Sequence, residues 1–152
     1  MKHKFLLDVM VLYFAIKGVD DHENPDSTAA DLLRLIRQNC HTILVDRTLA
    51  DKYLFHVNEL FRQPSHLTEA SLFITEFIAN SAKMKREELD PPPLPGGAKV
   101  PPEDEYVVRA ALISHPFVVT AEERLKDAIN NFSGLGLKAI TPAEALELAK
   151  DN

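Results

Sequence analysis

The sequence is short of cysteine, of glycine motifs, of basic charge and of long apolar runs. One cysteine, Cys40, in 152 residues leaves no internal disulfide, and the six histidines show no pair at metal spacing, so we assign them no chemistry. An apolar core must hold the fold, which is feasible because a chain of roughly 150 residues buries about 68–70% of its unfolded surface. Scarce cysteine, with no basic-then-apolar leader ahead of a small-residue cleavage site, leads us to expect a cytoplasmic protein. The longest strongly apolar run, residues 5–16, is interrupted by Asp8 and falls short of the roughly 20 residues a membrane span requires. No membrane partner is expected. There is no Gly-x-Ser-x-Gly elbow and no phosphate-binding glycine loop, which disfavours serine hydrolases and nucleotide-binding enzymes. Seventeen basic against 23 acidic residues give a net charge of -6, unlike a protein that coats nucleic acid without discrimination.

What remains is the composition of an ordinary globular chain, 45% hydrophobic and 26% charged, of a length that suits one domain over residues 1–152. Residues 4–8 read as a buried strand ending in Asp8, followed by an apolar helix over 9–17 that stops at Gly18. A polar, acidic loop follows, in which Asp20, Asp21, Glu23 and Asp26 lack the pattern of a calcium loop. Ser27 or Thr28 then caps a helix over 29–39. A second strand over 42–45 ends at Asp46, a capping or turn residue before a helix over 48–61. Another helix follows over 67–82. Residues 84–102 hold six of the ten prolines and read as a long loop, either mobile or functional. As extended chain it also suits docking to a protein partner. A helix over 103–114, a strand over 117–120, a helix over 122–131, a short strand over 136–140 and a helix opened by Thr141-Pro142 complete the chain. Alternating strands and helices predict an α/β fold: a three-layer α/β/α sandwich around a mainly parallel sheet of four or five strands.

In such sheets ligands bind beyond the carboxyl ends of the strands, so the informative acids are those at strand ends. Asp8 and Glu122 follow strands, and Asp104 with Glu105 opens a helix. Asp104 and Glu122 also suit helix N-termini on dipole grounds alone. If these acids converge, a hard cation such as Mg²⁺ or Mn²⁺ is called for, since close carboxylates do not all stay ionised without one.

The segments Phe5-Leu6-Leu7-Asp8, Pro102-Glu103-Asp104-Glu105-Tyr106-Val107-Val108, Val118-Val119-Thr120-Ala121-Glu122-Glu123-Arg124-Leu125 and Ile140-Thr141-Pro142-Ala143-Glu144 together resemble the PIN-domain family of metal-dependent ribonucleases. The resemblance spans nearly the whole chain. It implies hydrolysis of RNA phosphodiesters by metal-activated water, with Asp8 as first ligand, Asp104 as third acid and Glu122 in place of the usual fourth aspartate. Asp8, Asp104 and Glu122 are thus the candidate catalytic and metal residues, with Glu105 as an outer member. Two positions depart from the family. Met10 stands where a small polar residue is usual, and Lys52 where the second acid is usual. Asp51, one position away, is turned by about 100° on a helix. Lys52 is therefore a candidate contact to substrate phosphate. The resemblance further implies a homodimer and either a toxin with an antitoxin partner or a role in RNA processing. The alternative is a degenerate PIN-like domain that binds RNA or a protein partner without cutting. Lys83, Lys85, Arg86, Lys99, Arg109, Arg124 and Lys126 gather in sequence near the proline-rich segment, either as a rim for RNA or as dispersed surface charge.

Overall fold

The computed structural model describes residues 2–151. Five strands, β1 (Lys4–Leu7), β2 (Thr42–Val45), β3 (Met84–Arg86), β4 (Phe117–Val119) and β5 (Lys138–Ile140), form one all-parallel sheet in the order β3-β2-β1-β4-β5. Phe5 pairs in register with Ile43 on one side and Phe117 on the other, and Leu7 with Val119. Successive residues of a strand face opposite sides of the sheet, and Phe5, Leu6 and Leu7 are all buried, so helices cover both faces of β1. That explains why β1 is an unbroken apolar run.

Of the seven α-helices among the described residues, six lie in the crossovers between strands and the seventh follows β5. Helix α1 (Val9–Lys17) ends where expected, at Gly18, whose left-handed φ of 69° lets its N–H donate back to Phe14 O. Helix α2 (Thr28–Gln38) starts without a side-chain cap from Ser27 or Thr28. The Ser27 hydroxyl is drawn instead to Asp31, and the Asp26 carboxylate accepts the Thr28 N–H. Helix α3 (Arg47–Phe61) is capped by Asp46, which accepts the Leu49 N–H at 2.9 Å and is thereby accounted for structurally. The α3 face carrying Leu49, Tyr53, Val57 and Leu60 is buried, whereas Leu54 and Phe55 face solvent. Helix α4 (Leu67–Phe73) is shorter than expected, because its continuation, Ile74–Ile78, loosens into a π-turn. Phe73 stacks on Phe77 and meets Tyr53 edge-on, which ties this segment to α3.

Strand β3 corrects the reading of residues 84–102 as loop throughout. Met84 is its single buried residue, and what makes it a strand is pairing with β2, Ile43 opposite Met84. The rest of the segment is strapped down by Arg109, on α5 (Glu105–Ser114), whose guanidinium donates to the carbonyls of Pro91 and Pro92 at 3.1 and 3.0 Å. Helix α6 (Glu123–Asn130) ends in a residue that extends the sheet. The Asn130 side chain exchanges two hydrogen bonds with the Ala139 backbone and so protects edge strand β5. Helix α7 (Pro142–Ala149) opens with the expected Thr141 cap, completed to a capping box by Glu144. At the opposite end of the sheet from the strand-end acids, His41 Nδ1 accepts the His3 N–H and Nε2 donates to Asp151 O, a structural use of both histidines. No helix of the described residues is long and apolar enough to cross a membrane.

Candidate metal centre

The chain lays down β1, β2 and β3 outward in one direction and then returns to place β4 on the other side of β1. Strand order therefore reverses between β1 and β4, where the connections diverge and leave a crevice at the carboxyl ends. Asp8 stands at the end of β1, its N–H still held by Val119 O at 2.9 Å, and only 6% of it is exposed. Thr120, wholly buried at the end of β4, donates its hydroxyl to Asp8 Oδ2 at 2.9 Å and accepts the Glu122 N–H on the same oxygen at 3.0 Å. One side chain thus fixes the first carboxylate and the backbone that carries the last. Burial raises the Asp8 pKa and the Glu122 charge adds to the rise; the Thr120 hydrogen bond and the Val9 N–H oppose it.

The third acid arrives on a short 3₁₀ turn, Pro102–Asp104, that leads into α5. Asp104 is 6% exposed, and its Oδ2 is buried with no hydrogen-bond partner. Burial, then the Glu122 charge and a side-chain hydrogen bond shared with Glu122, then the charges of Asp8 and Glu103 push its pKa up to about 7. Glu103, Asp104 and Glu122 each bring a carboxylate oxygen within 4.8 Å of the other two. Asp8 lies outside that trio and joins it through Thr120. Glu105 does not join: it is exposed on the first turn of α5, and it is Glu103, also exposed, that brings a carboxylate oxygen to Asp104 and Glu122. A bare crevice with these acids is electrostatically costly, and a buried carboxylate oxygen is rarely left without a partner. The donor set is all carboxylate oxygen, hard and anionic, which fits Mg²⁺ or Mn²⁺ and disfavours softer metals.

Two tyrosines surround the acids. Tyr53, wholly buried, donates its hydroxyl to the carbonyl of Leu7, the residue before Asp8. Tyr106 has its pKa pushed up to about 12 by burial and by the charges of Asp8 and Asp104. The Lys52 ammonium sits 4.6 Å from the centroid of the Tyr106 ring and forms no ion pair with a described carboxylate. Asp51 beside it is exposed. Met10 lines a cleft of about 170 Å³ with Asp8, Phe14, Asp21, Ala121 and Glu122, so an apolar side chain faces the acids. The sequence reading missed Glu103 and the role of Thr120. Thr120 lies within the quoted Val-Thr segment, but only the fold reveals its bond to a residue 112 positions away.

No protein-family model matches the chain, and neither does any curated protein sequence. In fold it is similar to a PilT N-terminus domain protein from the hyperthermophilic archaeon Sulfolobus solfataricus P2. The likeness covers 98% of this chain and 95% of that one, with a TM-score of 0.50 and 11% identity. At that identity it speaks to the fold, the PIN-domain fold, and to nothing finer.

Proposed function

Given a PIN-domain fold, we propose that the chain is a divalent-metal-dependent endoribonuclease in which Asp8, Asp104, Glu122 and Glu103 hold Mg²⁺ or Mn²⁺. The observation that carries this reading is the Asp104 Oδ2 atom, buried without a partner beside two further carboxylates. When bound, such an ion supplies Lewis-acid polarisation of a phosphodiester and acidifies water. The rest falls to the chain's own groups. Thr120 and the Val9 N–H hold the Asp8 carboxylate in one orientation. Glu122, half-buried, adds a ligand or orients the attacking water. Lys52, steadied over Tyr106, meets a substrate phosphate as a point charge. The settings that suit this activity are a toxin restrained by an antitoxin protein, or RNA processing, with the chain acting as a homodimer. Exposed Leu54, Phe55, Leu67 and Leu72 on α3 and α4 support a protein contact there.

Met10 and Lys52 favour a second reading, a module that binds RNA or a protein partner without cutting. Calorimetric titration with Mn²⁺ separates the two. The nuclease reading expects binding by the wild type that is lost in Asp104→Asn, and metal-dependent cleavage of single-stranded RNA by the wild type alone. Wild-type protein that binds no Mn²⁺ leaves the non-cutting module.

A further inference from the structure

On one flank of the carboxylates lies a groove of about 610 Å³ between the proline-rich segment and α6. Its lining includes Lys99, Arg124, Asp127, Asn131 and Phe132. Lys99 and Arg124 are exposed cations, and Asp127 is the one acid of the lining. The half-buried Phe132 ring forms part of the wall, next to Gly97, which also lines the groove. A Cβ at Gly97 would stand 3.6 Å from the ring, so the backbone there lies close to it.

Groove and crevice share an edge. Pro102 lines the groove and begins the turn that carries Glu103 and Asp104. Arg124 lines the groove while its guanidinium reaches Glu103 at 3.9 Å. The other flank is different in kind: the small cleft beside Met10 is lined by Asp8, Asp21 and Glu122 and repels a polyanion. A phosphodiester chain that meets Lys52 at the crevice must continue past it, and of these two flanks the groove is the one lined by cations. A groove that combines an aromatic ring with two cations suits a nucleotide whose base is unstacked, a condition that single strands meet and duplexes do not.

We propose that this groove binds the nucleotide adjoining the attacked phosphodiester in single-stranded RNA, with Lys99 and Arg124 on phosphate and the base against Phe132. The assignment rests on the nuclease reading for the kind of substrate, but its test needs no metal. A short single-stranded oligouridylate is titrated into ¹⁵N-labelled protein in EDTA while amide shifts are followed. Affinity is measured by fluorescence anisotropy for wild type, Lys99→Ala, Arg124→Ala and Phe132→Leu. The shifts concentrate at Gly97, Lys99, Asn131 and Phe132. Each lysine or arginine variant lowers the salt dependence by about 0.7 in log–log slope. Phe132→Leu, with melting checked by circular dichroism, weakens binding about ten-fold. Shifts on another face, basic variants that bind as the wild type does, no binding at all, or duplex RNA held as tightly as single strand would overturn the assignment. Oligonucleotide in the groove without Mn²⁺ binding removes the metal reading and leaves the groove; the converse removes the groove alone.

Discussion

The Thr120 hydroxyl donates to Asp8 Oδ2 at 2.9 Å, across 112 residues of sequence and between the ends of the two strands, β1 and β4, where strand order reverses. Asp8 is 6% exposed, so its carboxylate has little water with which to replace this bond. The same threonine oxygen accepts the Glu122 N–H, so the first and last acids share one support.

Thr120→Val keeps the shape and removes the hydroxyl. The variant loses about 1–3 kcal/mol of stability in urea unfolding, the usual cost of leaving a buried acceptor short of a donor. Its Mn²⁺ affinity falls about ten-fold or more, as expected when the group orienting a ligand is lost. Thr120→Ser restores most of both. Mn²⁺ binding by the valine variant at wild-type strength would show that Asp8 needs no such support.

Which parts of this were legible in the sequence follows from what each feature depends on. Asp8 and Glu122 could be read because parallel strands buried on both faces are unbroken apolar runs, and a carboxylate at the end of one stands out. Asp46 and Thr141 were legible as caps because capping is decided within three residues. Strand β3 was not, since two of its three residues are an exposed lysine and arginine and only pairing with β2 defines it. Nor could the run Glu103-Asp104-Glu105 say which glutamate reaches the other acids. That choice is made by the 3₁₀ turn over Pro102–Asp104, which brings Glu103 rather than Glu105 to Glu122.

Lys83, at the entrance to β3, does structural work that its charge alone does not announce. Its ammonium donates to Ile36 O at 2.8 Å, His41 O at 3.2 Å and Asn39 O, closing the carboxyl end of α2. Burial lowers its pKa, in keeping with its enclosure. Lys83→Ala strands these carbonyls and costs about 1–3 kcal/mol in chemical unfolding, with Mn²⁺ affinity unchanged. A loss confined to a few tenths would mean that water satisfies the helix end.

Lys52→Ala separates substrate contact from architecture. The ammonium over the exposed side of Tyr106 contributes only about 0.5–1 kcal/mol, so stability barely moves. Affinity for single-stranded RNA drops several-fold and its salt dependence weakens. Unchanged RNA affinity would reduce Lys52 to a solvated residue packed on an aromatic ring.

The pH dependence of stability reports on the crevice directly. Asp104 titrates at about 7 in the folded chain against 3.8 for an ordinary aspartate, with burial as the first cause and the Glu122 charge as the second. Between those values the folded protein holds a proton that the unfolded chain has released. Unfolding therefore sheds a proton, and metal-free stability falls as pH rises through that window, levelling off above the folded-state value. Asp8, also raised by burial, contributes with the same sign. Asp104→Asn removes the larger contribution, so the Tm of the metal-free variant exceeds that of the wild type at pH 8 and changes less between pH 5 and 8. Mn²⁺ reverses the order, because it binds the ionised wild type and displaces the proton. Thermal melts of both proteins across this range, with and without Mn²⁺, provide the check. A metal-free wild-type Tm that stays flat or rises from pH 5 to 8 would mean that Asp104 ionises as an ordinary aspartate and that its carboxylate is already satisfied within the fold.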